Sequence, residues 1–232
     1  MLFRSKSAAA GVGSTGAGYQ GFENNHDPNL DYGPSDFDVD HRFVASYIYQ
    51  LPFGRGQKFG GGVNRATNLA IGGWQVTGIT TFQTGFPFTI QAQDIQSLND
   101  TQFEHANIVP GCKVHANLTA QFQRLNTACF TQPALGTYGN TTRNFLRQPG
   151  INNFDMGFGK TFDIWERLRF SLKMDAFNIF NHHQYSGDVG GLLVAGSGGN
   201  TAIDSTVGDS KFGLITRAST SRVIQFSGKL TF

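Results

Sequence analysis

The stretch "RLRFSLKMDAF", residues 167–177, alternates from Arg167 through Ala176. One parity reads Leu168, Phe170, Leu172, Met174 and Ala176, and the other Arg167, Arg169, Ser171, Lys173 and Asp175. Successive side chains of a strand point to opposite faces, so this is a strand with one apolar and one charged face. The period recurs along the chain. "DHRFVASYIYQL" (40–51) sets Phe43, Ala45, Tyr47, Tyr49 and Leu51 against Arg42, Val44, Ser46, Ile48 and Gln50. "GWQVTGITTFQTGFPF" (73–88) opposes Trp74, Val76, Gly78, Thr80 and Phe82 to Gln75, Thr77, Ile79, Thr81 and Gln83. "NFDMGFGKTF" (153–162) places Phe154, Met156, Phe158 and Phe162 against Asn153, Asp155, Gly157, Gly159 and Thr161. "SRVIQFSGKLTF" (221–232) closes the series with Ile224, Phe226, Gly228, Leu230 and Phe232 on one parity. "MLFRSKS" (1–7) reads as the end of a further strand, which makes about six. No segment holds a 3.6-residue period, so little helix is expected.

The connections alternate in length. Segments 8–40, 89–150 and 181–220 are long, 53–70 is shorter and Gly-rich, and "DIWE" (163–166) is a tight turn. In an up-and-down meander the long connections collect at one end and the short ones at the other. A compact domain rarely carries a structureless loop of such length. A transmembrane β-barrel does, with short turns on one side and long loops on the other. Aromatic residues point the same way: Phe53, Trp74, Phe162, Trp165 and Phe232 all fall at the short-turn end, as a girdle at one membrane interface. The fold expected is all-β, an antiparallel up-and-down set of transmembrane barrel strands. On that reading Gln75, Gln83, Arg167, Arg169, Lys173 and Asp175 face the lumen and the apolar parity faces lipid.

Composition agrees. Among 232 residues, Lys and Arg number 18 against 16 Asp and Glu, and only 15% are charged, low for a water-exposed surface. Near-balanced charge without a basic cluster gives no reason to expect a nucleic-acid partner. No run of about 18 apolar residues exists for a spanning helix, and the N-terminus lacks the apolar core of a signal peptide.

Other features are weighed individually. Cys112 and Cys129 lie in one irregular segment; we expect a disulfide, which implies an oxidising compartment, against two unpaired thiols or a weak metal set completed by His115. "GVGSTG" (11–16) matches G-x-G-x-x-G, but a turn-rich loop follows it instead of a helix, so no dinucleotide cofactor is expected. Asp36, Asp38 and Asp40, with Asp27 and Asp31, are weak candidates for a hard cation such as calcium, beside the ordinary reading as turn residues. His182 and His183 are adjacent, so on a strand they point apart and chelate poorly. Gly-rich 187–200 reads as a loop. Three N-x-[ST] triplets begin at Asn99, Asn117 and Asn140, and read as chance occurrences. No Ser-His-Asp or H-E-x-x-H constellation appears, so no enzyme is expected.

The terminal strand resembles the C-terminal signal that the barrel-assembly machinery reads on bacterial outer-membrane barrels. Gln225, Leu230 and Phe232 match that pattern, while Ser227 stands where glycine is usual. Four longer blocks, "YGPSDFDVDHRFVASYIYQLPFGRGQKF" (32–59), "GGWQVTGITTFQTGFPFTI" (72–90), "GTYGNTTRNFLRQPGINNFDMGFGKTF" (136–162) and "ERLRFSLKMDAFNIFNHHQY" (166–185), resemble in this order the C-terminal barrel of Oar-like TonB-dependent transporters. The resemblance implies an outer-membrane receptor of about 22 strands with an N-terminal plug, taking up an extracellular ligand when the TonB system moves that plug. Against that pattern the sequence carries about six strands and neither plug nor energy-coupling box. The expectation is therefore the C-terminal portion, residues 1–232, of a larger receptor. Its partners would be outer-membrane lipid, the assembly machinery, an unidentified ligand and, in a full-length protein, plug and TonB. The alternatives are a non-transport surface or adhesive β protein and a soluble secreted β-sandwich.

Overall fold

Aromatic and β-branched residues spaced by two favour a pleated backbone, and five long strands form where they recur. In the computed structural model the described residues are 4–5, 24, 26–27, 29–35, 37–93, 103–115, 118, 121–165, 168–185, 188–189, 192–193, 202–219 and 221–232. The long strands are β1 (Arg42–Gln50), β2 (Trp74–Gln83), β3 (Ile151–Trp165), β4 (Leu168–Phe177) and β5 (Val223–Thr231). They form one sheet in the order β5-β4-β3-β2-β1, so each strand lies beside its neighbour in the chain. β3 pairs antiparallel with β4, opposing Gly157 to Asp175 and Phe162 to Phe170, and a register shift falls between Asp163 and Trp165. β4 pairs antiparallel with β5, opposing Met174 to Phe226 and Arg169 to Thr231. At the short-connection end the Leu51 N–H donates to the Trp74 carbonyl at 2.9 Å and the Thr161 N–H to Gly73 at 3.1 Å.

The strands of 9, 10, 10 and 9 residues, β1, β2, β4 and β5, match the ~9–11 residues that a tilted strand needs to cross a bilayer. No helix among the described residues is long and apolar enough to cross a membrane. The helices are short: α1 (Arg65–Ile71) and a 3-10 turn at Thr127–Cys129.

One expectation is corrected. The strand read through 73–88 stops at Gln83. Pro87–Phe88 instead pairs with Leu146–Arg147, because the Thr84 N–H turns back to the His41 carbonyl and Gly85 packs so tightly on the Gln148 carbonyl that a Cβ would overlap it. Within 1–7, read as the end of a further strand, Arg4–Ser5 form a strand paired with Gly33–Pro34.

The chain divides into two units. One comprises Phe43–Phe82, Asn152–His182 and Ser221–Phe232, essentially the five-stranded sheet. The other comprises Met1–Arg42, Gln83–Ile151 and His183–Thr220, the long connections. These connections, expected to be irregular, build short ladders: Gln91–Gln93 with Phe103–His105 and Asn107–Ile108 with Phe130–Thr131. Around them Phe88, Ile90, Leu125, Phe130, Ile203 and Phe212 form a buried apolar cluster.

Candidate functional site

The sheet presents two chemically distinct faces. Tyr47, Trp74, Phe82, Phe154, Phe162, Phe170 and Phe226 share the apolar parity. On it Phe154 sits edge-on to Phe82 at 5.4 Å and to Phe180 at 5.0 Å. The Tyr47 ring occupies the space that a side chain on Gly78 would take, so glycine there lets an aromatic of the next strand lie flat on the sheet. Phe226, Leu230 and Phe232 of this face are 69%, 54% and 95% exposed.

The opposite face carries Gln75, Thr77, Asp155, Asp163, Arg169, Lys173, Asp175 and Gln225. Ladder register aligns them across strands, since Asp175 stands between Gly157 and Gln225. The Lys173 Nζ lies 2.8 Å from an Asp175 carboxylate oxygen, and the Arg169 Nε lies 3.0 Å from Asp163. The Thr161 and Ser171 hydroxyls meet at 3.3 Å. Gly157 leaves room for this grouping: a Cβ there would fall 2.5 Å from the Thr77 hydroxyl and 2.7 Å from Asp175. A hollow of about 540 Å³ opens here, lined by Ile48, Thr77, Ile79, Asp155, Lys173 and Asp175 among others. The arrangement suits contact with a polar or mixed ligand, or with water. It has no nucleophile–base pair.

An antiparallel meander of membrane-length strands with apolar and polar faces is the arrangement of a barrel wall. A family model for an outer membrane beta barrel domain matches residues 4–225. The chain belongs to that outer membrane beta barrel family. No curated protein and no solved structure matches it. The barrel family places the protein in the bacterial outer membrane, and the soluble-sandwich alternative falls with it. In a barrel the apolar face meets lipid and the polar face the lumen.

Of the six lumen candidates in this barrel wall, Gln75, Gln83, Arg169, Lys173 and Asp175 share the polar parity, and Arg167 lies outside the described residues. Asp155 and Asp163 share that face too; their parity marks them in sequence, but their salt-bridge and turn partners do not. The Asp155 carboxylate accepts the Asn178 N–H at 2.8 Å. Asn178 and Asn181 both adopt positive φ, 51° and 52°, a conformation that asparagine tolerates in turns. The Asn178 amide clasps the His182 backbone in both directions at 2.9 Å. The aromatics Phe53, Trp74, Phe162, Trp165 and Phe232 lie at the short-connection end, and Gln225 and Leu230 lie on opposite faces of β5.

In the loop unit Arg147 occupies two of the acidic candidates. Its Nη2 donates to Asp38 and to Asp40, each at 2.7 Å. Asp38 is 1% exposed and Asp40 is exposed, so these two weak cation candidates meet Arg147, one in a buried and one in an exposed ion pair. Asp36 lies outside the described residues, as does "GVGSTG". Among the described residues no three His, Cys, Asp or Glu side chains cluster to hold a metal ion. His115 meets the Arg124 carbonyl at 2.9 Å, and His183 stacks on Tyr185. Cys112 and Cys129 form a disulfide with Cα atoms 5.6 Å apart. Asn140, first residue of an N-x-[ST] triplet, accepts from the Ile108 N–H at 2.7 Å and donates to the Ile108 carbonyl at 3.2 Å; Asn99 and Asn117 lie outside the described residues. His105 sits 3.6 Å from Asp31. Burial first, and Arg143 as well, hold its pKa below the usual 6.5, against the opposing pull of Asp31 and of a hydrogen bond to the Thr141 backbone.

Proposed function

We propose that this chain is part of a TonB-dependent receptor of the Oar-like kind, which captures an extracellular ligand and takes it up. The observation that carries this reading is the ordered run of four sequence blocks, each ending in or spanning a strand whose polar parity lines the lumen face. Ligand is bound by the long connections, 8–40, 89–150 and 181–220. It then passes the polar wall of Gln75, Arg169, Lys173 and Asp175 when a plug elsewhere in the receptor is moved by TonB. The process is binding and gated passage, with no bond made or broken, so no cofactor or metal is assigned. Gln225, Leu230 and Phe232 are proposed as the recognition elements for the barrel-assembly machinery.

The reading frame upstream of the Met1 codon tests this directly. An open frame encoding further strands, a plug and an energy-coupling box supports uptake, and deleting that plug is then expected to abolish ligand accumulation by intact cells. A stop codon and ribosome-binding site immediately upstream would overturn uptake. That result would favour a surface-binding role for the loop unit, whose own buried core suits it to present a fixed surface.

A further inference from the structure

The connection between β1 and β2, residues 51–73, contains Arg55, Lys58 and Arg65 and no Asp or Glu. All three basic residues are exposed, and among the described residues no carboxylate pairs with them. Arg65 Nη2 reaches only the Ile164 carbonyl, at 3.4 Å, and Lys58 Nζ lies 5.6 Å from the Phe59 ring centre. The nearby Asp163 is on the lumen parity and already faces Arg169.

This connection has a built structure. Asn64 caps α1 by accepting the Thr67 N–H at 2.8 Å, and Asn68 accepts the Arg55 N–H at 2.6 Å. Gly54 and Gly72 allow that approach: a Cβ at either would fall within 2.7 Å of the Asn68 amide oxygen. The end of α1 is then tied to the lipid face by Lys160, which shares the parity of Phe158 and Phe162. The Lys160 Nζ donates to the Ala70 and Gly72 carbonyls at 3.0 and 2.6 Å. It lies 4.7 Å from the Trp74 ring centre and 5.0 Å from that of Phe162. Trp74 Nε1 donates to the same Ala70 carbonyl at 3.0 Å. Leu69, Ile71, Phe53 and Phe59 remain exposed beside this anchor.

We propose that the 51–73 connection is a docking surface for anionic phospholipid headgroups at the short-turn end of the barrel. The partner must be apolar where Leu69, Ile71 and Trp74 meet it and anionic where Arg55, Lys58 and Arg65 meet it. An anionic phospholipid has both parts in that order along the membrane normal. A soluble polyanion would satisfy the cations and leave the apolar rim in water. Basic residues at such a surface each strengthen binding to anionic lipid about fivefold, and exposed ones do so in a salt-dependent way.

The chain's two tryptophans, Trp74 and Trp165, both lie at this end, so their fluorescence reports on the surface. The full chain is reconstituted in nanodiscs containing phosphatidylcholine and phosphatidylglycerol, with bromine on the acyl chains of one or the other. Brominated phosphatidylglycerol is expected to quench at least twofold more than brominated phosphatidylcholine at equal mole fraction, and the excess is expected to shrink at high salt. Arg55→Gln, Lys58→Gln and Arg65→Gln together should abolish the excess while quenching by phosphatidylcholine and heat-modifiable migration persist. Arg42→Gln, at the opposite strand end, should leave the excess intact. Equal quenching by the two lipids in the unmodified chain, an excess that survives the triple substitution, or quenching by neither lipid would each overturn the proposal.

Discussion

The sheet and the long connections bury opposite things. In the loop unit Phe88, Ile90, Leu125 and Ile203 are at most 2% exposed and closely packed. In the sheet unit Ala176 alone, among the described apolar residues, is fully buried, while Phe43, Phe226, Leu230 and Trp165 are 59%, 69%, 54% and 79% exposed. A water-soluble unit takes apolar surface out of water by packing it inward. A barrel wall meets that demand by turning the surface to hydrocarbon. One chain therefore follows two rules, and the changeover falls at strand ends such as Gln83 and Ile151. Polar chemistry divides in the same way. Apart from the buried Lys160, the sheet spreads its charges along one face, whereas the loop unit sinks Asp38, Glu104 and Arg143 among buried atoms and must pair them.

The sharpest way to break this comparison is to remove one half of a buried pair in the loop unit. Arg147→Ala removes the ion-pair partner of buried Asp38, and breaking such a pair costs up to about 3–5 kcal/mol. Limited proteolysis in a membrane-mimetic should show the connections cut while the strands stay protected. Equal loss of protection in both units would mean that they do not fold by separate rules. Reducing the Cys112–Cys129 bond, or Cys129→Ser with Cys112→Ser, should cost roughly 3 kcal/mol in the chain-entropy model, again read as faster cleavage within 83–151.

The sheet is tested by charge placement. Met174→Arg on the lipid face is expected to cost about 2–4 kcal/mol if it sits near the bilayer midplane. Ser171→Arg on the lumen face, in the same strand, should change stability by less than about 1 kcal/mol. Urea unfolding in lipid vesicles measures both, and equal effects would contradict the assignment of faces.

The smallest effect expected is one of pH. His105 in the folded loop unit has its pKa held below 6.5, chiefly by burial. Its contribution is therefore fully present above the unfolded value and lost as pH falls below it, because the unfolded chain takes up the proton first. The slope is at most about 1.4 kcal/mol per pH unit. His105→Gln should flatten the acid-side decline in protease resistance of the loop unit and leave that of the sheet unchanged.

Much of the sheet was legible from sequence because its signal is local. Alternation at 168–176 depends only on each residue's neighbours, and it gives strand and faces together, while connection lengths and the aromatics at one end choose lipid over water. Strand ends were less legible: the run through Gln83 toward Phe88 is broken by the Thr84 and Gly85 contacts with distant backbone. Lys160 shows another limit. It breaks the apolar parity of its strand, and only the carbonyls of Ala70 and Gly72 explain it. The ion pair of the acidic candidates was not legible for the same reason, since Arg147 lies more than a hundred positions from Asp38.

By itself the sequence determined an antiparallel set of barrel strands, which parity meets lipid, and which end carries the aromatics. Strands and faces follow from the two-residue period that the pleated backbone imposes, and the barrel with its aromatic end follows from the connection lengths. Only the tertiary structure decided that the long connections own a core, that Arg147 closes the Asp38–Asp40 pair, and that α1 is pinned by Lys160. The first of those facts rests on a cluster that gathers Ile90, Leu125 and Ile203, residues with no periodic relation to one another. Burial among non-periodic residues becomes visible only once the chain has brought them together.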